Sequence, residues 1–362
     1  MQPNGVQQEY DVVIVGAGPA GCTVAKYLSD RFNILMIDRA NFPRDKPCGG
    51  LLVEESQHFI KQLEPLDFVF SRPKKLKLRL VDWDNNTDVK VEREYVNVVR
   101  NKFDYWLEQL IDNRVTFMDN TELIDFFSRK DGTNIVISNG NKTKVIKANY
   151  VVGADGAGSL IWKALHPRKI RTYVAIQETV NYKLNSHAYF IYDHEVTDFY
   201  SWAIPKGDRT IVGAALPMVN GDIRAKFALL KKKAKKKLGV DGDYENRESS
   251  IILRPESIKD LVLGKDNILL VGEAAGLISP STGEGISFAL RSGKMCAHAL
   301  NNLKDVEKEY KKLCQPLVDE ISDKILKSNA LSDVKTRTKV FEQWHAISEP
   351  LGHEKAVELW AK

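Results

Sequence analysis

Three short stretches of this sequence carry residue types able to hold a phosphorylated, sugar-bearing ligand. The first is Asp11-Val12-Val13-Ile14-Val15-Gly16-Ala17-Gly18-Pro19-Ala20-Gly21. An apolar run stops at Gly-x-Gly-x-x-Gly, a helix-like segment covers Cys22 to Ser29, and a second apolar run, Asn33 to Ile37, ends on Asp38. Strand, glycine turn, helix, strand and acid in that order form the dinucleotide-binding βαβ unit. Gly16 permits the tight turn, Gly18 lets backbone approach a pyrophosphate, and Gly21 brings the helix close to the strand. Pro19 and Ala20 lie in the same turn, just before the helix whose N-terminal N–H groups and dipole favour an anion. Asp38 is placed to accept hydrogen bonds from a ribose, with Arg39 directly after it. The unit alone does not separate NAD from FAD.

The second stretch is Tyr150 to Ser159, an apolar strand ending in a turn in which Gly153, Gly156 and Gly158 flank one carboxylate, Asp155. The third begins with Ile268 to Val271, runs through Gly272-Glu273-Ala274-Ala275-Gly276, and reaches Gly283-Glu284-Gly285 before a helical pattern from Ile286 to Leu300. Glu273 is suited to ribityl or ribose hydroxyls. The helix start near Gly285 offers N–H groups and positive potential to a ligand, which is what a reduced isoalloxazine, negative at N1–C2=O, requires.

Two further residues could do chemistry. The loop 39–50 ends Lys46-Pro47-Cys48-Gly49-Gly50, and its glycines permit close approach to a flat ligand. Cys48 either faces that ligand or packs in a tight turn. Arg100 opens a segment whose Phe103, Trp106, Leu107 and Leu110 recur at helical spacing and are core. Packing does not explain the arginine.

The elements that must position these residues follow from pattern. Helices are expected at 51–62, 100–110, 224–238 and 304–330. Strands are expected at 75–82, 88–98, about 114–119, 121–128, 134–138 and 143–147. Residues 170–216 form a β-rich block with Tyr173, Tyr189, Phe190, Tyr192, Phe199, Tyr200 and Trp202. It ends at Pro205 and a turn, and can line a bulky apolar pocket or form an aromatic core. Residues 1–9 are expected to be a disordered leader. The run Lys231-Lys232-Lys233-Ala234-Lys235-Lys236-Lys237 is either a solvated helix face or a contact with a membrane surface.

Bulk properties bound the rest. A chain of 362 residues suggests two domains or one with a large insertion. With 43% hydrophobic and 28% charged residues it has an ordinary globular composition. A net charge of +5 is too modest to imply nucleic acid. Cys22, Cys48, Cys296 and Cys314 are far apart, form no metal-type pair, and read as reduced thiols, so no metal is expected. No apolar run approaches the ~18–20 residues of a membrane helix and no signal peptide precedes the first strand, so a cytoplasmic protein is expected.

Taken together, the three nucleotide-binding stretches resemble the p-hydroxybenzoate hydroxylase-type FAD proteins, and within them the geranylgeranyl reductase family. Lys46-Pro47-Cys48-Gly49-Gly50 is similar to that family's Pro-Cys-Gly-Gly loop. Trp202-Ala203-Ile204-Pro205-Lys206-Gly207-Asp208 is similar to its Trp-x-aromatic-Pro-Lys-Gly-Asp strand end, with Ile204 at the aromatic position. Gly272-Glu273-Ala274-Ala275-Gly276 is similar to its Gly-Asp-Ala-Ala-Gly, with Glu273 in place of Asp. Tyr173-Val174-Ala175-Ile176-Gln177 and Gly283-Glu284-Gly285-Ile286-Ser287 resemble the branch of bacterial oxidoreductases related to the enterobacterial colicin M resistance protein.

The resemblance implies an α/β (α+β) fold: a Rossmann-like FAD-binding domain (10–70, 98–165 and 255–330), an inserted antiparallel-sheet substrate domain (71–97 and 166–254), and a helical tail (331–362). It implies one FAD. Gly16, Gly18 and Gly21 would hold the pyrophosphate and Asp38 the adenosine ribose. Arg100 and Asp155 would lie along the FAD, Glu273 near the ribityl chain, and Gly283 to Ile286 at the pyrimidine side. Pro47, Cys48 and Gly49 would approach the ring on the substrate side. Tyr192, Tyr200, Trp202 and Pro205 would line the substrate pocket.

The implied function is a flavin-dependent oxidoreductase that delivers hydride to a C=C bond of an isoprenoid or other apolar substrate, with Cys48 in a steric or proton-relay role. NAD(P)H or a reduced carrier would meet the flavin transiently, because only one Gly-x-Gly-x-x-Gly is present. Two alternatives stand beside it. One is a monooxygenase or halogenase using a flavin C4a-hydroperoxide, since Tyr200 to Pro205 half resembles the halogenases' Trp-x-Trp-x-Ile-Pro. The other is a non-catalytic flavin-binding protein peripheral to the membrane through Lys231–Lys237.

Overall fold

The structure is a computed structural model and describes residues 8–129, 132–140, 142–166, 168–185, 187–218 and 222–346. The chain opens with β1 (Gln8–Val15), α1 (Pro19–Tyr27), β2 (Ile34–Ile37), β3 (Leu51–Leu52), α2 (Glu54–Lys61), β4 (Phe70–Asp82), β5 (Thr87–Val98) and α3 (Arg100–Gln109). It continues with β6 (Thr116–Met118), β7 (Glu122–Arg129), β8 (Gly132–Asn139), β9 (Lys142–Gly153), α4 (Leu160–Leu165), β10 (Thr172–Val180), β11 (His187–Asp193), β12 (Thr197–Lys206) and β13 (Arg209–Pro217). It ends with α5 (Ile223–Leu238), β14 (Tyr244–Leu253), β15 (Gly264–Lys265), β16 (Ile268–Leu270), α6 (Ile286–Asn302), α7 (Val306–Ser332) and α8 (Val334–Ala346).

Two eight-stranded sheets result. The first has the order β15-β16-β9-β1-β2-β6, with the β7–β8 hairpin attached to β9. Its central pairs are parallel: Val13 faces Leu35 on one side and Val151 on the other. Val12, Val13 and Ile14 are fully buried, as a continuous apolar strand in a parallel sheet covered on both faces should be. The second sheet has the order β14-β10-β13-β12-β11-β4-β5-β3. Its pairs are antiparallel except where β11 lies parallel to β4, with Tyr189 opposite Arg79. That pair joins two segments far apart in the chain into one sheet.

Several sequence expectations change. Gln8 and Glu9, expected in the leader, extend β1 and pair with Ile146 and Lys147, while residues 1–7 lie outside the described set. Helix α1 starts at Pro19, three residues before Cys22, because proline at the first helical position has no N–H to lose. The expected helix 51–62 is split: Leu51 and Leu52 pair with β5, and α2 starts after them. The strands expected at 143–147 and 150 onward are one strand, β9. Its first half pairs with β8 and its second half enters the parallel core.

The C-terminal segment is helical over its described part and packs against the second sheet. Val340 and Phe341 are buried with Tyr192, Tyr200 and Trp202 in the core of the second sheet. Phe341 meets Tyr192 edge-on, with ring centroids 5.7 Å apart. Arg337 donates to Asp82 at 2.7 Å and to Asp84, clamping α8 to the β4–β5 turn. Residues 347–362 lie outside the described set.

The lysine run is engaged with the protein itself. Helix α5 covers the other face of the second sheet through Phe227, Leu230 and Ala234. Lys231 pairs with Glu178 at 2.8 Å, Lys233 with Asp193 at 2.6 Å and with Glu195, and Lys235 with Asp241 at 2.8 Å. Lys237 lies 5.6 Å over the Trp83 ring. No helix of the described residues is long and apolar enough to cross a membrane.

If α8 is structural, Phe341→Ala removes a fully buried ring and should destabilise the protein by about 3–5 kcal/mol. Urea unfolding followed by tryptophan fluorescence measures it. An unchanged midpoint would show that α8 does not contribute to the core.

Candidate functional site

A cleft of about 610 Å³ runs along the C-terminal ends of β1, β2, β9 and β16. That is where a doubly wound sheet places a ligand. Its walls bring together the three stretches singled out above. Gly16, Gly18, Pro19, Ala20, Asp38, Arg39, Pro47, Cys48, Arg100, Asp155, Glu273, Gly283, Gly285 and Ile286 all line it.

The turn after β1 is shaped by close backbone contacts. Gly16 has φ +107°, and a β-carbon there would lie 2.4 Å from Ala154 O. A β-carbon on Gly21 would lie 1.9 Å from Gly16 O. Gly21 therefore shapes the turn without lining the cleft, as do Gly49, set against Ile204, and Gly272, set against Ala20 and Ala289. Asp38 stitches the turn to β2: it accepts from Ala17 N–H at 2.8 Å and from Ala40 N–H at 2.9 Å.

The charged groups form one network. Arg100 donates twice to the fully buried Asp104, at 2.9 and 3.0 Å. Burial alone works against its charge, but Asp104 and Cys48 more than offset that and hold Arg100 above its ordinary range. Arg44, from the 39–50 loop, sits 3.2 Å from Asp104 and 3.9 Å from Asp38. A β-carbon on Gly18 would be 3.2 Å from its guanidinium. Arg44 was not singled out from sequence. Its signal was position, in a basic loop directly after the acid that ends β2.

On the opposite wall, burial raises Asp155. Its Oδ2 accepts from Leu160 N–H at 3.1 Å. Glu273 accepts from Leu253 N–H at 3.0 Å and so ties the cleft to the second sheet. Glutamate in place of aspartate supplies the extra reach.

The four expected substrate-pocket residues do not line this cleft. Tyr192, Tyr200 and Trp202 are buried in the aromatic core beneath α7 and α8. Tyr200 donates to Thr282 O and holds the loop before Gly283. Trp202 lies flat on Gly213, where a β-carbon would come 2.4 Å from the indole. Pro205 O accepts from Asn97 at 3.0 Å. Aromatic residues on one strand read alike in sequence whether a ligand or a helix covers them.

FAD fits this arrangement on two observations. Buried Asp155 Oδ1 and Arg44 Nε have no hydrogen-bond partner, and both residues line the cleft. An acceptor and a cationic donor left open in this way suit ribose hydroxyls and a pyrophosphate.

The parallel βαβ core, the second sheet folded against it and the three-part cleft define a flavoprotein of the p-hydroxybenzoate hydroxylase type. Residues 9–303 match the FAD binding domain family, and the chain belongs to it; its cofactor is FAD and its class of chemistry is oxidoreduction. The chain is 35% identical over 337 residues to protein CbrA of Escherichia coli O9:H4 (strain HS), covering 90% of this chain and 91% of that protein. It also shares its fold with a geranylgeranyl bacteriochlorophyll reductase-like protein from Thermoplasma acidophilum. The TM-score is 0.84 at 20% identity, covering 98% of this chain and 96% of that one. The p-nitrophenol 4-monooxygenase PnpA from Pseudomonas putida DLL-E4 gives 0.74 at 14% identity, covering 98% and 96%.

Two outcomes follow. Arg44→Met should lower FAD affinity by about tenfold to a hundredfold and flatten its salt dependence, measured by flavin fluorescence titration. Unchanged affinity would mean that Arg44 serves only Asp104. The second concerns Lys206, whose enclosed amine is pulled from 10.5 down to about 7 by burial, with Arg100 adding repulsion and Cys48 opposing the shift. Between those values the unfolded chain holds a proton that the folded chain lacks, so raising the pH stabilises the fold. Lys206→Met should reduce that rise between about pH 7.5 and 9.5, read from urea midpoints.

Proposed function

We propose that this flavoprotein reduces a carbon–carbon double bond of an apolar, isoprenoid-like substrate. The observation that carries the reading is Cys48, a half-exposed thiol in the FAD cleft that shares its lining with Ile252, Ile278 and Ile286. A proton-bearing sulfur beside apolar surface suits an alkene that needs one proton after hydride transfer. The similarity of the Pro47-Cys48-Gly49-Gly50 loop to that of geranylgeranyl reductases points the same way.

Bound FAD supplies the hydride. The residues of this chain bind and orient it. Gly16, Gly18 and Arg44 receive the pyrophosphate, with Pro19, Ala20 and Gly21 setting the helix start behind it. Asp38 and Arg39 take the adenosine ribose, and Asp155 and Glu273 the ribityl hydroxyls. Gly283, Gly285, Ile286 and the N-terminus of α6 face the pyrimidine edge, where positive potential favours the reduced ring. Cys48, held beside Arg100, gives its proton to the substrate carbon. A reduced nicotinamide or protein carrier would reach the flavin transiently, since one glycine-turn βαβ unit is already used by FAD.

A second reading, oxygen insertion or halogenation in the same cleft, is favoured by the fold shared with a monooxygenase. One anaerobic experiment separates the two. The enzyme is reduced with dithionite and given geranylgeranyl diphosphate or a geranylgeranylated lipid. Flavin reoxidation with a product that gains two hydrogens is expected, about a hundredfold slower in Cys48→Ser. A flavin that stays reduced until air is admitted would sink the prenyl substrate and favour the oxygen-using reading.

A further inference from the structure

The loop in front of α6 holds a carboxylate that the mechanism above does not use. Gly283, Gly285 and Ile286 line the cleft, and Glu284 lies between the two glycines. Its backbone is fixed: Glu284 O accepts from Ser279 N–H at 2.9 Å, and Ser279 O accepts from Gly283 N–H at 2.8 Å. Its side chain folds onto the first turn of α6. One carboxylate oxygen accepts from Ser287 N–H at 2.6 Å, and the other accepts from the Ser287 hydroxyl at 3.0 Å. Arg291 donates to Ser287 Oγ at 3.3 Å and pairs with Glu320 on α7 at 2.8 Å. Lys324 pairs with the same Glu320 at 3.3 Å. Arg291 and Glu320 are partly exposed, so this chain of polar contacts leads from the carboxylate to water.

A helix start favours one anion, and a second anion close by meets repulsion from the first. The start of α6 is the positive end assigned above to the reduced flavin, and Glu284 already bonds it. We propose that Glu284 takes up one proton from water when the bound flavin is reduced, so that the start of α6 carries one negative charge at a time. A reduced nicotinamide, or dithionite in vitro, supplies the two electrons. The flavin keeps one proton and one negative charge. The carboxylate gains an O–H bond and loses its charge, so the charge of the pair is unchanged. Glu284 thus acts through the flavin, as a positioning residue. The charged and titratable groups facing it are Arg291 on α6, Glu320 and Lys324 on α7, Tyr95 on β5 and Tyr200 on β12. Burial raises Glu284 above the ordinary carboxylate range, with Ser287, Lys324 and Arg291 drawing it back. A flavin anion at the same helix start raises it further. Between the two values reduction binds the extra proton, so lowering the pH there favours reduction. The inference rests on α6 starting at the pyrimidine edge of FAD, and not on which substrate is reduced.

The test is the two-electron potential of the FAD-loaded protein, measured by dye equilibration from about pH 6 to 8. Each proton bound on reduction changes the equilibrium about tenfold per pH unit, or about 30 mV for two electrons. The wild type should change about a hundredfold per pH unit, or about 60 mV, while its reduced spectrum stays that of the anionic flavin. Glu284→Gln keeps an acceptor for Ser287 N–H. It should change only about tenfold per pH unit and hold a higher potential than the wild type at pH 8. Equal slopes in the two proteins, a one-proton slope in the wild type, or a neutral reduced spectrum in the wild type would overturn the proposal. Equal slopes with a potential raised at every pH would keep α6 at the flavin and remove only the proton. Should Glu284→Gln lose FAD, the wild-type slope and spectrum decide. All these outcomes leave the reductase reading standing. A prenyl substrate that fails to reoxidise the flavin would sink that reading and leave the role of Glu284 standing.

Discussion

Gly21 packs against the carbonyl of Gly16 so closely that any side chain there would displace the helix from the strand. The rest of the cleft depends on this contact. It fixes where α1 starts, and so where its free N–H groups point. It also sets Gly16 against Ala154, which brings the turn holding Asp155 beside the first glycine turn. On the far side, α1 is close enough to α6 that a β-carbon on Gly293 would lie 2.7 Å from Ala20 O. One small-residue contact thus registers three separate chain segments around one ligand.

The second constraint is the seam between the sheets. It is held by polar links between cleft segments and the second sheet: Glu273 accepts from Leu253 N–H and Tyr200 donates to Thr282 O. Arg254 is buried and donates to Pro280 O at 3.1 Å, Tyr173 OH at 2.8 Å and Ser332 Oγ at 2.6 Å. Buried polar groups hold position because leaving one unpaired is costly. The seam therefore holds the Cys48 loop and the Gly283 loop in place along the one cleft that both line.

The charge pattern serves the same end. Two arginines converge on Asp104, a carboxylate with no exposure, and Arg44 also lies near Asp38, which fixes both cations next to the glycine turn. Such an arrangement suits a diphosphate and keeps the arginine planes fixed before the ligand arrives. Burial raises Glu284, whose carboxylate accepts from Ser287 N–H at 2.6 Å and closes the first turn of α6.

The nucleotide half of the molecule was legible in the sequence because its information is local. A glycine spaced to fit a turn, an acid at a strand end and a helix start each act within about 30 residues. The residues around Gly16, Asp38, Asp155 and Glu273 accordingly fall in one cleft. The substrate half was legible only as composition. Tyr192, Tyr200 and Trp202 announce an aromatic face, but the cover of that face, α7 and α8, arrives more than a hundred residues later. Whether such a face meets a ligand or a helix is a tertiary decision. The lysine run behaves likewise: its carboxylate partners Glu178 and Asp193 on strands, and Glu195 in the β11–β12 turn, lie on segments that the sequence does not place beside it. Arg44 and Lys206 gained their roles in the same way, because an ion pair or an enclosed amine depends on neighbours that only folding brings within reach.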